Sequence, residues 1–165
     1  DEPLAFILAD YLIEANPGCM KQMIKNWDGG NMVATMNVED KDTSSYGIIT
    51  PGKIIRDKIE VRGIVEKPKP KNAPSNIAVV GRYIIQPSVF EDLALQKKGT
   101  NDEIQLTDSL SSQIGKAPFY AYNFIGTRYD CGTKIGFTKA NTNFALKDDE
   151  IGKEYNDWLS SLLKN

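Results

Sequence analysis

The chain has 165 residues, of which 41% are hydrophobic and 25% charged, and its formal net charge at pH 7 is -2. This length and composition predict an ordinary globular chain of about one domain. With neither a basic arm nor a cationic face, nucleic acids and anionic membranes are not expected as partners. No apolar run approaches the roughly 20 residues of a membrane span and no signal-peptide pattern is present, so we expect a cytoplasmic protein.

The sequence contains no histidine and only two cysteines, Cys19 and Cys131. Ser-His-Asp and Cys-His catalysis and histidine-bound zinc are therefore excluded within this sequence. Two cysteines do not make a disulfide framework, and a reducing compartment is the default. Any chemistry must rest on carboxylates, lysines, backbone amides or a metal bound by oxygen atoms.

The first predicted element is the apolar run 4–8, which is typical of a buried strand of a parallel sheet and ends at Ala9-Asp10. A carboxylate at the end of such a strand is well placed for a hard cation. Because a central strand would then begin at residue 4, we expect the sequence to be cut from a longer one, with a terminal edge strand as the alternative. A helix with apolar positions from Met20 to Trp27 follows, and then an alternating strand from Met32 to Val38.

Two further strands are predicted next. The first begins at Tyr46-Gly47, and the second ends at Glu66-Lys67. Gly47 stands at the mouth of its strand, where a turn or bulge glycine is the structural alternative to a functional one. Pro68 cannot extend a central ladder, so the second strand should stop at Lys67. Glu66 and Lys67 then lie side by side at a strand end, a common place for ligand contacts in α/β folds. A solvated surface pair is the alternative.

The run 77–80 predicts another buried strand, closing at Gly81, where a missing side chain permits a close approach. Further along, the spacing predicts helices over 87–93 and 106–114, an aromatic strand over 119–125, and two helices after Gly132. The segment 97–100 is predicted to be a loop. The last helix either covers the sheet or packs on another subunit, and neither an internal repeat nor a domain boundary is evident.

Three segments, in order, carry a resemblance: VEKPKPKNAPSNIAVVGRY from Val65 to Tyr83, DEIQLTD from Asp102 to Asp108, and YDCG from Tyr129 to Gly132. Together they resemble the bacterial UTP–glucose-1-phosphate uridylyltransferases, within the nucleotidyltransferase family. The resemblance implies an α/β fold with a mixed, mostly parallel sheet flanked by helices, the C-terminal part of a Rossmann-like fold. Residues 1–165 would be the sugar-binding half, without the N-terminal nucleotide-binding part and its glycine-rich phosphate loop.

The resemblance also implies the reaction and the residues that serve it. UTP and glucose 1-phosphate would give UDP-glucose and pyrophosphate, with Mg²⁺ held by Asp10 and Asp130. Lys67 would act with these two aspartates on the phosphates. The residues implied to bind the substrate are Gly47, Glu66, Lys67, Val80 and Gly81. Two departures from the family's pattern, Ala9 before Asp10 and Thr133 after Gly132, remove no charged group.

The expected partners are UTP, glucose 1-phosphate and UDP-glucose, and the chain is expected to form a homo-oligomer. Without the phosphate loop, these 165 residues alone are expected to be inactive. Two alternatives stay open. One is a sister sugar-phosphate nucleotidyltransferase that uses dTTP or ATP, and the other is a non-catalytic module for sugar-nucleotide binding or oligomerisation.

Overall fold

The computed structural model describes residues 2–95 and 105–162. In these ranges the strands are β1 Leu4–Ile7, β2 Tyr11–Glu14, β3 Asn31–Asn37, β4 Gly47–Ile55, β5 Lys58–Glu66, β6 Ile77–Ile85, β7 Phe119–Asn123 and β8 Thr127–Asp130. The α helices are α1 Cys19–Asn26, α2 Pro87–Leu95, α3 Leu106–Ser112, α4 Lys134–Leu146 and α5 Gly152–Leu162. The predicted loop 97–100 and the start of the DEIQLTD segment lie outside the described residues. Within the described ranges, no helix has the length and apolar character needed to cross a bilayer.

The chain divides into two compact units although no boundary is evident in its sequence. The large unit consists of Asp1–Leu8 and Ala15–Gly126, and the small unit of Ala9–Glu14 and Thr127–Asn165. The small unit thus combines a short segment near the start of the chain with the C-terminal quarter. Such a pairing of distant segments leaves no linker-like composition for a sequence to reveal.

The large unit is built on a six-stranded sheet in the order β1-β6-β3-β7-β5-β4, and β4 also pairs with β6. Helix α3 contacts β5 and α1 contacts β3, so the predicted mixed α/β sheet flanked by helices is confirmed. The expectation that the sheet is mostly parallel is wrong: among the described strands, β3 and β7 form the one parallel pair. The connection between β4 and β5 explains one of the antiparallel pairs. It is a tight reversal at Arg56, with φ 57°, and such a short connection can join only antiparallel neighbours.

Strand β1 differs from its prediction as a buried strand of a parallel sheet. It pairs antiparallel with β6 at the end of the sheet order. Leu4 is 46% exposed and Ile7 is 51% exposed. Among the described strands, β1 is therefore an edge strand and not a central one. A short apolar run has no periodicity that separates a central strand from an edge strand.

The core of the large unit joins its strands to α2 and α3. Its buried members are Val33, Ile49, Val61, Val79, Tyr83, Ile85, Val89, Leu110, Phe119 and Ala121. Leu106 and Leu93 pack against this cluster from the two helices. Apolar side chains of strands and helices thus meet in one contiguous core, which holds the strand ends of this unit in place.

Strand β6 does not close at Gly81 as predicted, but continues to Ile85. Gly81 has φ 66°, in the left-handed region. The register with β3 changes from Thr35↔Val79 to Val33↔Tyr83, so several β6 residues around Gly81 oppose the single residue Ala34. Gly81 therefore forms a bulge within the strand, a second role that left-handed glycines have in sheets.

The small unit pairs β2 antiparallel with β8 and packs α4 on β8 and α5 on α4. Neither β2 nor β8 is predicted from the sequence, whereas the two helices are. The ring of Tyr129 on β8 meets that of Phe144 on α4, with centroids 6.0 Å apart. Helix α4 begins after Thr133, whose Oγ1 accepts a hydrogen bond from the Gly136 N–H at 3.1 Å. The departure at Thr133 thus supplies a helix cap.

Candidate functional site

The small unit brings Asp10 and Asp130 together from opposite ends of the sequence. Asp130 is the last residue of β8 and pairs with Tyr11, the residue after Asp10. The Cys131 N–H also donates a hydrogen bond to the Asp10 carbonyl at 2.7 Å. Asp10 itself does not end β1, which stops at Ile7, but precedes β2. The two carboxylates therefore converge on the two-stranded sheet, and the expectation that Asp10 ends the first strand is wrong.

Gly132 lies close to both carboxylates. Its N–H donates to Asp130 Oδ1 at 3.1 Å. A Cβ atom placed on Gly132 would lie 3.2 Å from Asp130 Oδ1 and 3.6 Å from Asp10 Oδ2. Asp130 Oδ1 and Asp10 Oδ2 are thus both within 3.6 Å of this Cβ position. The two oxygens are therefore separated by no more than twice 3.6 Å. A side chain at position 132 would therefore crowd both acids.

This pair of acids fits Mg²⁺, which is bound in proteins through one or two carboxylates and retains several waters. Across residues 2–95 and 105–162, no group of three or more His, Cys, Asp or Glu side chains converges in a metal-binding arrangement. The donor set is therefore of the sparse, oxygen-only kind that suits Mg²⁺ better than zinc.

Backbone contacts hold Asp130 against the start of α4. Its carbonyl accepts hydrogen bonds from the Thr133 N–H at 3.3 Å and from the Thr133 hydroxyl at 3.0 Å. A Cβ atom on Gly136 would lie 1.9 Å from the same carbonyl oxygen, so only glycine fits there. Arg128, stacked 4.7 Å from the Tyr11 ring, approaches Asp130 Oδ2 to 3.9 Å. The carboxylate is thereby placed by main-chain geometry and by a neighbouring cation.

In the large unit, Glu66 is the last residue of β5 and Lys67 follows it, beside the start of β4. Gly47 pairs with Glu66, and the Lys67 N–H donates to the Tyr46 carbonyl at 3.0 Å. A Cβ atom on Gly47 would lie 3.1 Å from Glu66 Oε2, so the glycine makes room for the carboxylate. The structure places Gly47, Glu66 and Lys67 side by side, and their contact with a substrate stays a prediction.

The side chains of Glu66 and Lys67 pair only loosely. Lys67 Nζ lies 4.0 Å from Glu66 Oε1. The Lys67 side chain is 65% exposed and the Glu66 side chain is 33% exposed. An exposed pair of this kind contributes little to stability. Both charged groups are therefore accessible to a ligand.

Two features of this strand end are missed by sequence reasoning. Lys67 has φ 46°, an uncommon conformation for a residue with a side chain and more so before a proline. The Thr107 hydroxyl donates a hydrogen bond to Glu66 Oε2 at 2.8 Å. Nothing in the sequence signals this contact, because a threonine near a helix start is an ordinary capping residue.

Val80 and Gly81 lie at the β6 bulge. The Val80 side chain is completely buried, so the backbone is the part of this residue that a substrate could reach. The Gly81 carbonyl accepts hydrogen bonds from the Leu8 N–H and the Arg82 guanidinium, both at 3.0 Å. Val79, the preceding residue, approaches the position of Gly47. Contact of Val80 and Gly81 with a substrate stays a prediction.

Both cysteines are free thiols. Burial raises the pKa of the Cys19 thiol to about 11, so this group is protonated at neutral pH. A buried protonated thiol is a poor nucleophile.

Fold and site together define a mixed α/β protein with two converging aspartates in one unit and an exposed acid and base at a strand end in the other. The sequence profile of the Nucleotidyl transferase family matches residues 1–147. The chain belongs to this family.

Individual relatives agree. The UTP–glucose-1-phosphate uridylyltransferase of Staphylococcus epidermidis is 38% identical over 164 residues, which are 98% of this chain and 57% of that protein. A crystal structure of UDP-glucose pyrophosphorylase complexed with UDP-glucose is 40% identical, with a TM-score of 0.83, over 89% of this chain and 57% of that one. The UTP-bound UGPase of Acinetobacter baumannii is 29% identical, with a TM-score of 0.83. The match covers 98% of this chain and 57% of that one. The chain thus spans little more than half the length of these relatives.

Proposed function

We propose that this chain supplies the sugar-phosphate side and the metal-binding acids of a UTP–glucose-1-phosphate uridylyltransferase. The observation that carries the proposal is the convergence of Asp10 and Asp130 on Gly132. The relatives that bear this name, or that are described with UDP-glucose or UTP bound, match nearly the whole chain. The nucleotide-binding loop would lie in the part of those relatives that this chain does not span.

In the proposed reaction, a phosphate oxygen of glucose 1-phosphate attacks the α-phosphorus of UTP. The new P–O bond forms as the bond to the β-phosphate breaks, and pyrophosphate leaves. Such a reaction needs positioning and charge neutralisation more than covalent help from the protein. Mg²⁺, held by Asp10 and Asp130, would neutralise phosphate charge.

The residues of the large unit would bind the sugar phosphate. The two oxygens of Glu66 can accept hydrogen bonds from neighbouring sugar hydroxyls, a charge-assisted arrangement. Lys67 supplies a compact cation for a phosphate. Gly47 and the bulge at Val80 and Gly81 would let the backbone approach the sugar.

We further propose a cytoplasmic homo-oligomer with UTP, glucose 1-phosphate and UDP-glucose as its ligands. The support for self-association is the exposed apolar side of α5. Trp158 and Leu162 on this helix are each 53% exposed. Residues 1–165 would form the sugar-binding part of the nucleotidyltransferase domain and would produce no UDP-glucose by themselves.

The test of this function is removal of each metal-binding charge in the full-length protein. Asp130→Asn should lower turnover at least about 100-fold, since metal neutralisation supplies several kcal/mol. It should also raise the Mg²⁺ concentration needed for half activity and leave the melting temperature near that of the wild type. Asp10→Asn should behave alike, and the double variant should be little worse, because both carboxylates act through one ion. Asp149→Asn, at an exposed position of the same unit, is the control.

Three outcomes would count against the proposal. Normal rate and Mg²⁺ dependence in Asp130→Asn, with a defect in Asp10→Asn, would show that the metal site is not shared. A preference for dTTP or ATP over UTP would favour a sister nucleotidyltransferase. Binding of UDP-glucose without any pyrophosphate release from UTP and glucose 1-phosphate would favour a non-catalytic module.

A further inference from the structure

We propose that Thr107 is a positioning residue that fixes the Glu66 carboxylate for sugar recognition, an inference that rests on the proposed function. The Thr107 hydroxyl donates to Glu66 Oε2 at 2.8 Å across 41 residues of sequence. Thr107 lies in the first turn of α3, and Glu66 is the last residue of β5. A hydroxyl donor on a charged acceptor forms one of the stronger hydrogen bonds in proteins.

The spacing of helix and strand accounts for this contact. Ser111, one turn after Thr107 on α3, donates its hydroxyl to the Ile64 carbonyl at 3.3 Å. Four residues of an α helix rise about 6 Å. Two residues of a strand, here Ile64 and Glu66, span about 6.6 Å. The spacing of the two hydroxyls therefore matches that of Ile64 and Glu66 along β5.

The core of the large unit fixes α3 itself. Leu110 is 1% exposed, and Leu106 packs against the same hydrophobic cluster. Thr107 and Ser111, one turn apart on this helix, both direct their hydroxyls to β5. The donor thus has a position that does not depend on a substrate.

Glu66 Oε2 is bounded on two sides, by the Thr107 hydroxyl and by the close approach of Gly47. The other oxygen, Oε1, faces Lys67 Nζ at 4.0 Å. A half-exposed glutamate otherwise has considerable rotamer freedom, which it would lose on binding a sugar. Thr107 removes part of that freedom beforehand and directs the carboxylate, a form of preorganisation.

The experiment compares Thr107→Val, which keeps the shape and removes the donor, with Thr107→Ser, which keeps the donor. In the full-length protein, Thr107→Val should raise KM for glucose 1-phosphate about tenfold, the scale of a hydrogen bond to a charged group. KM for UTP should stay unchanged. Thr107→Ser should restore the wild-type value. Ser111→Ala, which removes a hydroxyl from the same helix–strand contact without touching Glu66, should lower the melting temperature slightly and leave both KM values unchanged.

Glu66→Gln separates failure of this inference from failure of the proposed function. If Glu66→Gln raises KM for glucose 1-phosphate and Thr107→Val does not, Thr107 has no positioning role and the proposed function stands. If Glu66→Gln has no effect on that KM, the proposed sugar contact itself is wrong. Thr107→Val added to Glu66→Gln should cause no further loss, because Thr107 acts through Glu66. Equal changes for both substrates in Thr107→Val and Ser111→Ala would show a purely structural role.

Discussion

The two units hold their acidic groups by different means. Glu66 ends a strand of a six-stranded sheet, over a core in which Val33 and Ile49 are fully buried. In the described part of the small unit, only Ala140 and Gly152 are buried. Asp10 and Asp130 are placed there by backbone hydrogen bonds and surface contacts instead. The sugar-side acid should therefore be sensitive to core packing, and the metal-side acids to local backbone geometry and polar contacts.

The largest expected effect comes from removing core volume in the large unit. Ile49→Ala should lower the free energy of unfolding of this unit by about 2–5 kcal/mol, since it leaves a cavity in a closed core. Phe144→Ala in the small unit should cost about 1 kcal/mol, because the ring is 40% exposed and its main partner is the Tyr129 edge contact. Hydrogen exchange of amides in β6 and β8 measures the two units separately.

Ile54→Ala is the matched control for this comparison. Ile54 has the same residue type as Ile49 and lies on the same strand, but it is 77% exposed. Its replacement should change stability by less than about 0.5 kcal/mol. A larger loss from Phe144→Ala than from Ile49→Ala would contradict the contrast between the units.

The same contrast separates what sequence reasoning can predict from what it cannot. Strand β3, the run through β6 and helices α4 and α5 show clear periodicity or long apolar runs, and each is found. Strands β2 and β8 are missed because four residues are too few for a periodic pattern. The two strands pair with each other although they lie near opposite ends of the chain. The small unit, built on this pairing, is thus the less predictable part of the fold.

The candidate site divides in a similar way. The choice of Glu66, Lys67, Asp10 and Asp130 as candidate site residues follows from the family resemblance. The contacts that orient these groups do not, because they depend on tertiary register: Thr107 on Glu66, and Gly132 close to both aspartates. Gly81 is misjudged for a local reason, since a left-handed glycine can end a strand or form a bulge within it.

A smaller effect should separate backbone strain from charge at Lys67. With φ 46°, its conformation costs of the order of 1–3 kcal/mol. Lys67→Gly should relieve this strain at an entropic cost of about 0.5–1 kcal/mol, for a net gain of about 1 kcal/mol. Lys67→Ala keeps the strain and should gain nothing. Both variants lose the cation and should weaken glucose 1-phosphate binding alike. Urea unfolding checks the first expectation, and equal stability of the two variants would show that φ at this position carries no strain.

The smallest effect concerns the polar contacts that join β2 to α4 in the small unit. Glu14 contacts the Lys147 ammonium through Oε1 and accepts a hydrogen bond from Asn143 Nδ2 at 2.8 Å. Lys147 first, and then Asn143, hold the pKa of Glu14 below its ordinary value of 4.5. A lowered pKa means that the folded state binds its proton less readily than the unfolded state does. The stabilisation is therefore complete above pH 4.5 and is lost as the pH falls through the lower pKa of the folded state.

Glu14→Gln removes this charge and tests the sign of the effect. The variant should melt slightly below the wild type near neutral pH, by an amount that salt reduces because the pair is exposed. The gap should begin to close below pH 4.5 and should vanish below the lower pKa of the folded state, where the wild-type carboxyl is neutral as well. Lys147→Gln should give the same profile, and the double variant should add little, since both changes remove one interaction. Melting curves across this pH range decide the matter: a gap that persists undiminished in acid would mean that Glu14 acts through shape and neutral hydrogen bonding, not through its charge.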